Sequence, residues 1–261
     1  MLIRLGLKQF TGLLIDVHCH LTAEEFHGKV ERVIADAARS GVKIIITSGL
    51  GYEDCLKALE ISDHQIVFPS LGIAPYKLED YEKVLSLIEK ERSRILAIGE
   101  VGLDYWKGKR EEWSKQQKVF EDFIDLAKSL DLPLVVHSRS AGKYALEILF
   151  KKRVDRVIMH AFDGKATHAA RAAERGFMFS IPPTIARSSQ KQKLVKRLPL
   201  DNLLLESDAP VLSPIPGEIN YPRNVRISAE WISRLKNLTF DKVAEKTTLN
   251  AMEVFDLKIQ L

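Results

Sequence analysis

Short β-rich apolar runs recur along the chain in alternation with amphipathic stretches, and this rhythm restricts the possible folds more than any other feature. The runs are LLIDV (13–17), VKIIITS (42–48), IVFPSLG (66–72), ILAIGE (95–100), LPLVVH (132–137), VDRVIMH (154–160), GFMFSI (176–181) and NLLLES (202–207). Between them lie segments with apolar residues at helical spacing, such as GKVERVIADAARSG, DYEKVLSLIEKERS and WSKQQKVFEDFIDLAKSL. Strand–helix alternation implies parallel strands joined by helical crossovers. Eight such units predict an α/β protein of the (β/α)8 TIM-barrel type. An open doubly wound sheet is the competing arrangement, and no Gly-rich nucleotide fingerprint follows the first strand to support it.

The length agrees, since such barrels commonly need about 250 residues. The chain has 261, of which 46% are hydrophobic. No repeat, linker or low-complexity segment divides it. Residues 1–261 therefore read as a single domain, with MLIRLGLKQFTG (1–12) as a short N-terminal extension before the first strand. The Pro- and Gly-rich interval SDAPVLSPIPGEINYPRN (207–224) reads as a long loop after the eighth strand. No apolar run reaches the roughly 20 residues of a membrane helix. Cys19 and Cys55 make no disulfide framework, which fits a reducing, cytoplasmic setting. The net charge of +4 is too mild to diagnose a nucleic-acid partner by itself.

The segment LLIDVHCHL (13–21) places two histidines one residue apart at a strand end. Residues two apart on a strand share a face, so His18 and His20 point together while Cys19 points away, as a small hydrophobe. Other potential ligands occupy equivalent positions: Glu100 closes the fourth strand, His137 the fifth, His160 the sixth, and Asp208 follows the eighth. In a barrel the C-terminal strand ends surround one mouth. Four imidazoles and two carboxylates there form a mixed N/O set suited to two divalent ions, with a carboxylate able to bridge them. His27, His64 and His168 fall on helices or a loop and read as bystanders.

The signatures DVHCHL (16–21), GEVGLDY (99–105), PLVVHSR (133–139), HAFDG (160–164) and ESDAP (206–210) occur in this order across nearly the whole chain. This series resembles the TatD family of metal-dependent deoxyribonucleases, within the amidohydrolase-like barrels. The resemblance implies phosphodiester hydrolysis in DNA, typically trimming of a single strand from its 3′ end, with two divalent ions (Mg, Mn or Zn). It assigns His18, His20 and Asp208 to one ion and His137 and His160 to the other, with Glu100 between them. Asp208 could both ligate and accept a proton from the attacking water, making Asp208 and Glu100 the catalytic carboxylates.

Arg139 is placed to offer a bidentate fork to phosphate. Asp104 and Glu206 could orient metal-bound histidines or water, or serve as salt-bridge partners in the framework. Two departures from the family pattern bear on substrate. GIAPY carries Ala74 where the family has a histidine, with Tyr76 as a possible substitute, and INYPRN carries Ile219 where arginine is expected, with Arg223 nearby. The basic stretches YWKGKR (105–110), RSSQKQKLVKR (187–197) and YPRNVR (221–226), with Tyr105, Trp106 and Tyr221, could follow a single strand's backbone and stack on its bases. The 187–197 run reads equally well as a solvated helix face. Two other functions compete: a barrel hydrolase of amide, lactone or aminoacyl-ester bonds, and a nucleic-acid-binding metalloprotein that has lost turnover.

Overall fold

The computed structural model describes residues 3–4, 12–62, 64–257 and 259–260; most of the 1–12 extension lies outside them. Eight parallel strands form one sheet in sequential order: β1 (Leu14–Cys19), β2 (Val42–Leu50), β3 (Val67–Gly72), β4 (Ala97–Gly102), β5 (Leu134–His137), β6 (Val157–Met159), β7 (Met178–Ile181) and β8 (Leu203–Leu205). They curl into a nearly closed barrel, as the strand–helix alternation predicts. Ile3–Arg4 pairs separately, and in parallel, with Ile259–Gln260.

Helices α1 (Val30–Arg39), α2 (Tyr52–Ile61), α3 (Tyr81–Glu91), α4 (Trp113–Leu130), α5 (Gly142–Lys152), α6 (Ala166–Ala173) and α7 (Ser189–Arg197) link successive strands, and α8 (Val225–Lys236) and α9 (Phe240–Val254) follow β8. The buried residues of α4 show how the sequence directs packing: Gln116, Val119, Phe120, Phe123, Ile124 and Ala127 recur at three- and four-residue steps, which is one stripe of a helix. No helix among the described residues is long and apolar enough to cross a membrane.

Two apolar cores result. The larger lies between sheet and helices. The smaller fills the barrel with Ile15, Val17, Ile44, Ile46, Ala97, Val135, Ile158, Met178 and Leu204, and Ala251, Val254 and Phe255 from the α9 end pack against it. Along β5 and β6, period-2 alternation carries the inward phase from Val135 to His137 and from Ile158 to His160. Strands β1 and β4 depart from it. Asp16 and Cys19 are three apart on β1, but their partners Ile45 and Thr47 are two apart on β2. Likewise Ile98 and Val101 on β4 face Leu134 and Val136 on β5. The extra residue is a bulge that reverses the strand's phase. Cys19 and Val101 thereby join the outer core, and His18, His20 and Glu100 turn to the barrel mouth.

Between β8 and β1 the barrel is closed by discrete bonds. Ser207 donates its backbone N–H to Asp16 Oδ1 (2.8 Å) and its hydroxyl to Asp16 Oδ2 (2.6 Å). The Asp208 N–H donates to His18 O (2.9 Å), and the His20 N–H to Ala209 O (2.8 Å). Asn220, after the long loop, donates to Ser207 O (2.6 Å).

Candidate metal centre

His18, His20, Glu100, His137, His160 and Asp208 come together at the C-terminal mouth. Glu100 sits at the centre, with its two oxygens facing different ways. Oε2 lies 3.3 Å from His18 Nε2 and 3.4 Å from His20 Nε2, and Asp208 Oδ1 approaches the same two nitrogens at 3.5 and 3.4 Å. Oε1 instead meets His137 Nδ1 and lies 3.5 Å from His160 Nε2. Close approach of β4 to β5 makes this possible: Gly99 (φ +146°) and Gly102 (φ +144°) adopt conformations unfavourable for other residues, and a Cβ on either would overlap Val135 or the His137 carbonyl.

Each imidazole is fixed from behind. Ser48 serves two of them, its hydroxyl 3.1 Å from His18 Nδ1 and its carbonyl accepting from His20 Nδ1 at 3.0 Å. His137 Nε2 is 3.0 Å from Asp104 Oδ2, and His160 Nδ1 is 3.0 Å from Glu206 Oε2. Asp104 is held by Gln116, which accepts from its N–H (2.9 Å) and donates to its carbonyl (3.2 Å). Ser180 donates to Glu206 (2.6 Å).

Electrostatics inside this cluster override desolvation. Burial disfavours a charged His18, yet the Asp208 and Glu100 carboxylates lift it to about 9. His137 is raised to about 10, where Glu100 and Asp104 outweigh burial, and His20 is also raised by Asp208 and Glu100. Burial would raise Glu100, but His137 and His160 hold it well below the usual carboxylate range. Asp208 is lowered likewise by the imidazoles of His160, His18 and His20. Two carboxylates this deep require positive charge beside them. Imidazolium protons or a metal cation both meet that need, and a cation displaces the protons.

The donor set fits a cation by a second criterion. Among the described residues, His18 Nε2 and His137 Nδ1 are buried without an aligned hydrogen-bond partner. Two triplets, His18–His20–Asp208 and His18–Glu100–His160, bring ligand atoms within 4.8 Å of one another. The mixed N/O set matches what divalent ions accept.

A cavity of about 570 Å³ opens over the cluster and is lined by Ala74, Tyr76, Arg139 and Lys191 among others. Arg139 stacks over Trp106 at 3.8 Å, and Lys107 donates to the Tyr76 hydroxyl (3.2 Å). Other expected contacts are used elsewhere. Arg223 is not part of the cavity lining: its guanidinium pairs with Asp36 (3.4 Å) and covers Tyr221. Tyr105 stacks on Trp113 at 3.9 Å, so that ring face is taken by the protein itself. His64 pairs with Glu31 (2.7 Å), away from the mouth. Ser48, Gln116, Asp16 and Ser207 carry no functional mark in the sequence beyond the place of Asp16 in DVHCHL and of Ser207 in ESDAP, and an acidic residue inside the apolar run 13–17 is the one local signal.

The family model described as TatD related DNase matches residues 15–256. Human deoxyribonuclease TATDN3 is 39% identical over 93% of this chain and 94% of its own. A metal-dependent hydrolase of Methanocaldococcus jannaschii is 34% identical over 94% of this chain and 98% of its own. The crystal structure of YjjV, a TatD homologue from Escherichia coli, superposes with a TM-score of 0.88 at 28% identity, covering 95% of this chain and 100% of that one.

Proposed function

The chain belongs to the TatD related DNase family of metal-dependent hydrolases, and from that premise we propose that it hydrolyses phosphodiester bonds in DNA, trimming single strands from the 3′ end with two divalent ions (Mg, Mn or Zn). The whole span 1–261 acts as one domain in this reading. Two buried free thiols, Cys19 and Cys55, accord with a reducing compartment such as the cytoplasm.

The observation that carries the two-ion reading is the division of Glu100, whose oxygens face separate histidine groups. His18, His20 and Asp208 would hold one ion with Oε2, and His137 and His160 the other with Oε1. Bound divalent ions supply Lewis-acid neutralisation of phosphoryl charge and make water a better nucleophile at neutral pH.

The remaining work falls to the chain. Asp208 stays ionised beside its imidazoles and accepts a proton from the attacking water. Asp104 and Glu206 keep His137 and His160 in the orientation and tautomer that direct the opposite ring nitrogen into the pocket. Arg139, braced flat against Trp106, presents its fork to a substrate phosphate. Trp106 is 63% exposed and offers an aromatic surface to an unpaired base, and Tyr76 with Lys107 lines the side where Ala74 leaves room.

The decisive experiment is cleavage of 3′-labelled single-stranded DNA by metal-stripped protein resupplied with Mg²⁺, Mn²⁺ or Zn²⁺, beside duplex DNA, an amide and an aminoacyl ester. Metal-restored release of single nucleotides from the 3′ end is expected. Turnover of the amide or ester alone would favour the other hydrolase activity, and DNA binding without turnover on any substrate would favour the binding-only alternative.

A further inference from the structure

One residue of the basic run 187–197 after β7 does not belong to a solvated helix face. Lys191, only 7% exposed, lines the mouth cavity. Its Nζ donates to Ala161 O (2.6 Å) and Phe162 O (2.7 Å). Adjacent Gln190 donates to Phe162 O (3.2 Å) and Gly164 O (2.8 Å). The first turn of α7, capped by Ser188, thus grips the carbonyls of the turn that follows His160.

That turn is held from the opposite side as well. Glu206 accepts the Ala161 N–H (2.9 Å) through one oxygen and meets His160 Nδ1 through the other. Between these two grips Ala161 has φ +38°, a conformation that a non-glycine residue keeps only where its surroundings impose it. A buried ammonium is itself costly and needs such acceptors; burial lowers Lys191 to about 8. Its location is therefore explained by what it holds.

We propose that Lys191 is a positioning residue for His160: by gripping the carbonyls of Ala161 and Phe162 it fixes the strained turn, and with it the direction of the His160 imidazole on which the ion of the His137–His160 side depends. The inference rests on the two-ion reading above. Removing the grip should weaken that ion selectively and leave the His18–His20–Asp208 side unchanged.

The test is Lys191→Met, which keeps the stem length and removes every donor. Metal-stripped wild type and variant are titrated with Mn²⁺, with free ion followed by electron paramagnetic resonance and heat by calorimetry. His160 ring nitrogens are followed by ¹⁵N NMR in ion-free protein. Expected is a loss of about 10–100-fold in the weaker Mn²⁺ affinity, as for residues behind a ligand, an unchanged tighter affinity, and a shifted His160 signal. Both affinities and the His160 signal at wild-type values would overturn the proposal. So would a raised KM for DNA with unchanged ion binding, which would mark Lys191 as a substrate contact instead. If wild type takes up only one ion, the two-ion reading fails, and the His160 signal alone decides the role of Lys191. If Lys191→Met does not fold, Gln190→Ala, which loosens the same grip, should weaken the same ion several-fold, and no change there would overturn the inference.

Discussion

On one side of Glu100, His18 and His20 lean on the hydroxyl and carbonyl of a single neutral residue, Ser48. On the other side, His137 and His160 each lean on a carboxylate of their own, Asp104 and Glu206. The difference follows where negative charge enters. The β1/β8 side has Asp208 facing the pocket directly, so its histidines need orientation only. Among the described residues, no carboxylate beyond the shared Glu100 meets the pocket-side nitrogens of His137 and His160, and Asp104 and Glu206 stand at one remove, behind the rings. Charge delivered through a ring is weaker than charge delivered by a ligand, so under the two-ion proposal the ion of the β5/β6 side is the one lost more easily.

The comparison can be broken or sharpened by substitution. Glu100→Gln should have the largest effect, because it weakens both sides together: Mn²⁺ titration should find neither affinity intact, and retention of one at wild-type strength would show that Glu100 serves a single side. Asp208→Asn keeps the shape and removes the proton acceptor; cleavage at fixed Mn²⁺ should fall about 10²–10⁴-fold. Single-strand binding in the same variant should survive and weaken with added salt. Wild-type cleavage by that protein would remove Asp208 from the mechanism.

Glu206→Gln probes the charge at one remove, and should weaken only the β5/β6 ion, by about 10–100-fold. If calorimetry finds both ions affected alike, the pocket is one electrostatic unit and the division fails. Ser48→Ala, which removes one neutral hydrogen bond worth about 0.5–1.5 kcal/mol, should shift the opposite ion's affinity by no more than about tenfold. Ser207→Ala lies outside both ligand sets. It deprives the buried Asp16 carboxylate of one donor and should cost about 1–3 kcal/mol of stability in denaturant unfolding, with ion affinities little changed.

The barrel and the identities of the six convergent residues were legible because both are written in local patterns: apolar runs of strand length, and a ligand-type residue at the end of each of several runs. The phase of β1 and β4 was not. Strict alternation from Ile15 and Val17 sends His18 to the helix side, and an extra residue between Asp16 and Cys19 reverses this without any mark in composition. The residues behind the ligands were equally hidden, since Ser48 and Gln116 act across strands and helices distant in sequence. Arg223 followed the basic pattern of its segment, but the fold spends it on Asp36 of α1.

The bonds from Ser207 to Asp16, 191 residues apart in the chain, and from Asp208 to His18 join the last strand to the first. A polypeptide emerging from a ribosome therefore carries His18 and His20 long before it has Asp208, and under the two-ion proposal the ligand set of the β1/β8 side is complete only once the eighth strand has docked. Pairings of such separation carry a large loop-closure cost and go with slow folding. The candidate pocket is therefore a property of the closed barrel: its first and last strands each contribute ligands, and neither alone holds the set.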